Sequence, residues 1–185
     1  MSVPPLVQKH ALNGVTALLF GLALWRLGVS PELPAVLAFI FGGVLLAVID
    51  WKVHRLPTNL VYLTLAGVAA GLLFATLITQ DWRAGATALV GAVVLANSFA
   101  AVYMLGVKFL RMKIIGFGDV RLALILGALL GWYGLSYLIT GMVAALFVAL
   151  PFAVVKLWQT RKFTVNMAFG PPLMLGTLIV ILAHA

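Results

Sequence analysis

Only four side chains in the 185-residue sequence carry a carboxylate, and two of them are placed to do acid–base chemistry together. Asp50 follows the apolar run from Leu45 to Ile49, and Asp119 follows Gly116-Phe117-Gly118. Taken singly, each reads as a solvated carboxylate at a membrane interface. Taken as a pair in a low-dielectric site, they cannot both ionise readily and must share one proton. The ionised member can then take a proton from water while the protonated member donates to a carbonyl oxygen. This is aspartic protease chemistry, and it requires neither metal nor cysteine nor serine. The other two acids, Glu32 between Pro31 and Leu33 and Asp81 beside Trp82 and Arg83, read as solvated loop charges. His10, His54 and His184 are scattered, so no nucleophile–histidine constellation forms in the sequence. With no cysteine there is no thiolate zinc site, disulfide or Cys nucleophile. No metal and no cofactor is expected.

The elements that must position these acids follow from composition. Hydrophobic residues make up 64% of the chain and charged residues 9%, with a mean hydropathy of +1.19. A soluble domain is about 45–50% apolar and about 25% charged, and disorder needs low hydrophobicity with high net charge. What remains is an all-α, polytopic integral membrane bundle. Seven continuous apolar segments run over 12–29, 33–50, 58–79, 84–109, 118–131, 134–157 and 169–184. Six to eight spans fit the length, and residues 1–185 leave no room for a separate soluble domain. The formal charge of +8 has a membrane explanation rather than a nucleic-acid one. With alternating spans, ten of the 12 Lys and Arg residues fall on the side of the N-terminus, leaving Arg26 and Arg83 opposite. The basic side is expected to be cytoplasmic, in a multi-pass protein of the inner (plasma) membrane, and Asp50 and Asp119 both fall at that boundary. An acid at membrane depth is costly and is a functional candidate by default.

Small residues at Gly67 and Gly71, Gly85 and Gly91, and Gly127 and Gly131 read as helix-packing positions. Asn97 and Ser98, in the middle of the fourth segment, are expected to hydrogen-bond between helices. Lys108, Arg111 and Lys113 read as anchors for lipid headgroups.

The sequence around Asp119 is Gly116-Phe117-Gly118-Asp119-Val120-Arg121-Leu122, followed by Leu126-Gly127 and Gly131-Trp132. It resembles the type IV prepilin peptidases, membrane aspartic proteases with a Gly-x-Gly-Asp motif, a basic residue two positions on and a Leu-Gly…Gly-Trp tail. Around Asp50, the run Ile49-Asp50-Trp51-Lys52-Val53-His54-Arg55-Leu56-Pro57-Thr58-Asn59 matches the family's Asp followed seven residues later by Pro. Thr58 stands where the family usually has Asn or Asp. Phe169-Gly170-Pro171 is similar to the family's late Phe-Gly-Pro element. Presenilin-type proteases share Gly-x-Gly-Asp, but they place Tyr before the first Asp, where this chain has Ile49.

The resemblance implies a membrane aspartic endopeptidase. Asp50 and Asp119 would be its catalytic pair, with Gly116, Gly118, Pro57, Gly170 and Pro171 as backbone support. Gly116 and Gly118 would let the backbone bend and an extended peptide approach Asp119. The substrate would be a prepilin or pseudopilin, cut where its basic leader meets the apolar helix on the cytoplasmic face. No residue beyond the acids is assigned to substrate binding, and the oligomeric state is open. Larger prepilin peptidases resemble a fusion with a domain carrying Cys-x-x-Cys pairs and linked to N-methylation. The cysteine-free chain looks like the short, peptidase-only form and is not expected to methylate. Two rival classes remain: a small transporter using the acids as proton or cation sites, and a non-catalytic scaffold of pilus or secretion assembly.

Overall fold

The computed structural model describes residues 5–53, 57–109, 116–160 and 170–184. Among them the chain is all-helical: α1 Pro5–Leu27, α2 Leu33–Val53, α3 Thr58–Thr79, α4 Trp82–Phe109, α5 Phe117–Tyr133, α6 Ser136–Thr160 and α7 Gly170–His184. The seven apolar segments and the seven helices coincide to within a few residues, except that α1 begins earlier. His54, Arg55, Arg111, Lys113, Arg161, Lys162 and Phe169, whose places the sequence suggests, lie outside the described residues.

Local chemistry sets the boundaries. Pro57 stands at the N-cap of α3 with φ −67° and ψ 120°, and its carbonyl accepts from the backbone N–H of Leu60 and Val61. That helix ends at Gln80, which is left-handed at φ 56°. Asp81 is not merely a solvated charge: its Oδ1 accepts from the N–H of Arg83 and of Ala84, both at 3.1 Å, and so caps α4. Gly134, at φ 131°, turns α5 into α6 in a conformation that L side chains rarely adopt.

By length and composition three helices are suited to crossing a bilayer: Leu33–Asp50, Thr58–Thr79 and Trp82–Lys108. Shorter apolar stretches occupy Leu12–Leu27, Ser136–Pro151 and Gly170–His184. α5 has 17 residues and is shielded by protein. It packs against α3, α4, α6 and α7, and Leu122, Ala123, Ile125, Leu126, Leu129 and Leu130 are all buried. It is the axis of the bundle.

Association between helices in lipid depends on close packing rather than on removing apolar surface from water, and the glycines supply it. A Cβ added at Gly71 would stand 2.6 Å from Ala35 Cα, so α3 lies directly on α2. One added at Gly127 would stand 2.8 Å from Ala92 Cα, and one at Gly91 2.9 Å from Gly131 Cα. α4 and α5 therefore meet backbone to backbone. The packing role expected of these glycines holds. The hydrogen bonds expected between helices at Asn97 and Ser98 do not form. Ser98 donates to Val94 O in its own helix at 2.8 Å, and Asn97 faces outward.

Candidate active site

Asp50 lies in the last turn of α2 and Asp119 in the first turn of α5. Both side chains are buried, at 6% and 8% exposure, and they are the only buried acids among the described residues. α2 and α5 touch, and the two carboxylates are near enough for their charges to act on each other. Residues 69 positions apart in sequence thus lie at the same end of the bundle.

The first turn of α5 holds Asp119 from its own backbone. Asp119 N–H donates to Gly116 O at 3.0 Å, and Asp119 Oδ2 accepts from Gly116 N–H at 3.1 Å. This reciprocal pair satisfies donors that a helix start leaves open. Gly116 has φ −74° and ψ 147°, an extended conformation open to any residue, so the backbone does not need glycine in order to bend there. Nor does Asp119 need it, since a Cβ would stand 3.4 Å from Asp119 Oδ2, an ordinary van der Waals contact; what glycine leaves is bare, exposed backbone beside that carboxylate. Gly118 lies within the first turn of the helix itself.

The remaining motif residues gather at the same end. Pro57 opens α3, and the residue after it is tied to α5: Arg121 Nη1 donates to Thr58 Oγ1 at 2.6 Å. Thr58 thus offers an oxygen acceptor at the position where the sequence departs from the motif. Arg121 Cζ lies 4.7 Å from the Phe117 ring centroid and 5.7 Å from that of Tyr62. Gly170 is buried at the first position of α7. Pro171 lines an apolar groove of about 390 Å³ together with Ala47 and Val48, which immediately precede the Asp50 turn of α2.

Arg121 and Thr58 both stand in the motif sequences, but sequence reasoning gives neither a task. The basic residue two positions after Asp119 is the available signal; its partner, 63 residues away, has none. At the opposite end of the bundle, His184 bonds through Nδ1 to Tyr137 Oη at 2.6 Å and packs against Tyr133, well away from the acids. Among the described residues no group of three or more His, Cys, Asp or Glu side chains converges on a common point.

The type IV leader peptidase family matches over residues 36–157, a span that contains both Asp50 and Asp119 and stops short of Gly170 and Pro171. A prepilin leader peptidase/N-methyltransferase of Myxococcus xanthus (strain DK1622) is 35% identical over 133 residues, covering 72% of this chain and 38% of that protein. The chain therefore aligns with well under half the length of this curated relative. No solved structure matches it. The chain belongs to the type IV leader peptidase family.

Proposed function

We propose that this protein is an aspartic endopeptidase of the inner membrane that removes the leader peptide of type IV prepilins or pilin-like proteins at the cytoplasmic face, with Asp50 and Asp119 as its catalytic pair. The observation that carries the reading is the burial of two carboxylates, one in the last turn of α2 and one in the first turn of α5, two helices that touch. Family membership supports the substrate class, and the excess of Lys and Arg on the acid-bearing side supports the cytoplasmic orientation. The whole chain is read as one membrane peptidase domain in contact with the bilayer and with its substrate.

The chemistry follows from the proton that the pair shares. The ionised carboxylate removes a proton from a water molecule, whose oxygen attacks the scissile carbonyl carbon. The protonated carboxyl gives its proton to the carbonyl oxygen, leaving a neutral gem-diol. Return of a proton to the leaving nitrogen then breaks the C–N bond. Gly116 N–H engages Oδ2 of Asp119, which holds the carboxylate in one orientation. The exposed backbone at Gly116 suits an extended peptide drawn close to that carboxylate. Groups held in place in this way act without the cost of being oriented in each turnover.

Co-expression with a prepilin tests the proposal. Asp50→Asn and Asp119→Asn should each abolish leader removal while membrane insertion is kept. Cleavage that survives either change would remove that residue from the mechanism. A parent protein that conducts ions and cleaves no prepilin would replace the proposal with the transporter reading.

A further inference from the structure

The acid pair is assembled from two separately closed helix pairs. α2–α3 is closed by Gly71 against the Ala35 backbone, and α4–α5 by Gly91 and Gly127. Asp50 belongs to the first pair and Asp119 to the second. α2 and α5 themselves touch only briefly, whereas α3 and α5 pack more extensively. α7 also packs against both α2 and α5, but at the level of the acids the separation of the carboxylates depends on how the starts of α3 and α5 are held together.

At that level a side-chain hydrogen bond crosses from one pair to the other, from Arg121 Nη1 to Thr58 Oγ1. The guanidinium lies over two rings, Phe117 from its own helix and Tyr62 from α3. Phe117 in turn sits edge-on to Tyr103 of α4 at 5.8 Å. Residues two apart on a helix point about 200° from each other, so Arg121 is aimed at α3 and away from Asp119. Its work is mechanical rather than electrostatic. Each end of the bond is also close in sequence to one acid, Thr58 eight residues after Asp50 and Arg121 two after Asp119.

We propose that the Arg121–Thr58 bond sets the spacing between the two carboxylates, which makes Arg121 and Thr58 positioning residues for the reaction; this rests on the reading of the acid pair given above. The requirement at position 58 is an oxygen acceptor. Ser meets it, and Val, which matches Thr in shape, does not. The requirement at position 121 is a planar donor that can also lie over aromatic rings, which Lys meets poorly.

The test combines kinetics with a distance that does not depend on activity. Purified Thr58→Val should cleave a synthetic prepilin with kcat reduced about ten- to a hundredfold and KM within about twofold of the parent, the loss expected when a charged hydrogen bond that orients reacting groups is removed. Thr58→Ser should stay within about threefold of the parent, because it restores the acceptor. Arg121→Lys keeps the charge and should show the same kcat-only loss at smaller size, which covers the case in which Thr58→Val fails to insert. The cysteine-free chain also allows spin labels at Leu63→Cys on α3 and Met104→Cys on α4, both strongly exposed positions. Their distance distribution should widen with Thr58→Val and narrow again with Thr58→Ser. Parental kcat in Thr58→Val, an unchanged distribution, or a loss carried by KM would each overturn the inference. If the parent cleaves no prepilin, the distance alone decides: widening upholds the clamp and overturns only the function, and no change overturns both.

Discussion

The contact between α4 and α5 and the contact between α2 and α5 are built in opposite ways. The first is a glycine seam in which backbones meet directly; an added Cβ at Gly131 would stand 3.1 Å from both Ala88 Cα and Gly91 Cα. The second is slight, and the two units are joined nearby through side chains, with Arg121 bonded to Thr58 and flanked by Phe117 and Tyr62. A backbone seam has no soft degree of freedom, whereas a side-chain clamp does. The protein makes each half of its acid pair rigid and leaves the adjustable contact between the halves. Under the proposed function, a peptide entering between the two carboxylates would require no helix pair to come apart.

The largest expected effect probes the meeting point itself. Asp50→Asn and Asp119→Asn should each slow prepilin cleavage by about 10²–10⁴-fold, the range of a general acid–base group, with the melting temperature in detergent kept near the parental value. Next comes the rigid seam. Gly127→Val would drive a branched side chain into the backbone of Gly91 and Ala92. It should cost at least the ~1–3 kcal/mol typical of overpacking, read as a lower melting temperature and lower membrane yield. Gly116→Ala should separate room from fold. Its backbone suits alanine and the methyl would meet Asp119 Oδ2 only in ordinary contact, so melting should be unchanged while cleavage slows by about tenfold because the methyl holds the peptide backbone off the site. The smallest effect belongs to a charge outside both contacts. Asp81→Ala removes the cap of α4 and should lower stability by about 1 kcal/mol with no change in cleavage rate.

Much of this arrangement is legible in the sequence because helix boundaries are written locally. The third segment, 58–79, matches α3 at both ends, since Pro57 fixes its start and the polar Gln80-Asp81 pair ends it. The two acids can be paired from alternation of spans alone, and the glycine spacing of 127 and 131 announces a packing face. The partners of that face are not legible. Gly91 lies on another helix and belongs to no Gly-x-x-x-Gly pair, so only the folded bundle shows that it meets Gly127. The cap formed by Asp81 is readable from its place before Trp82, although the residue's neighbours make it look like a plain loop charge. Asn97 and Ser98 invite bonds between helices because a polar group in lipid needs a partner. Ser98 finds one four residues back in its own helix, an option that sequence spacing leaves equally open. The Arg121–Thr58 bond is out of reach for a different reason: it joins two helix starts across 63 residues, and nothing local to either residue encodes the other.

The central claim is that carboxylates from two helix pairs act as one hydrolytic unit. Its most direct test is the cleavage rate of a synthetic prepilin by the protein reconstituted in liposomes, measured for Asp50→Asn, Asp119→Asn and the double variant. Each single variant should be as inactive as the double, because neither carboxylate can serve as both acid and base. A single variant that keeps more than about a tenth of the parental rate, a loss far smaller than acid–base catalysis supplies, would contradict it.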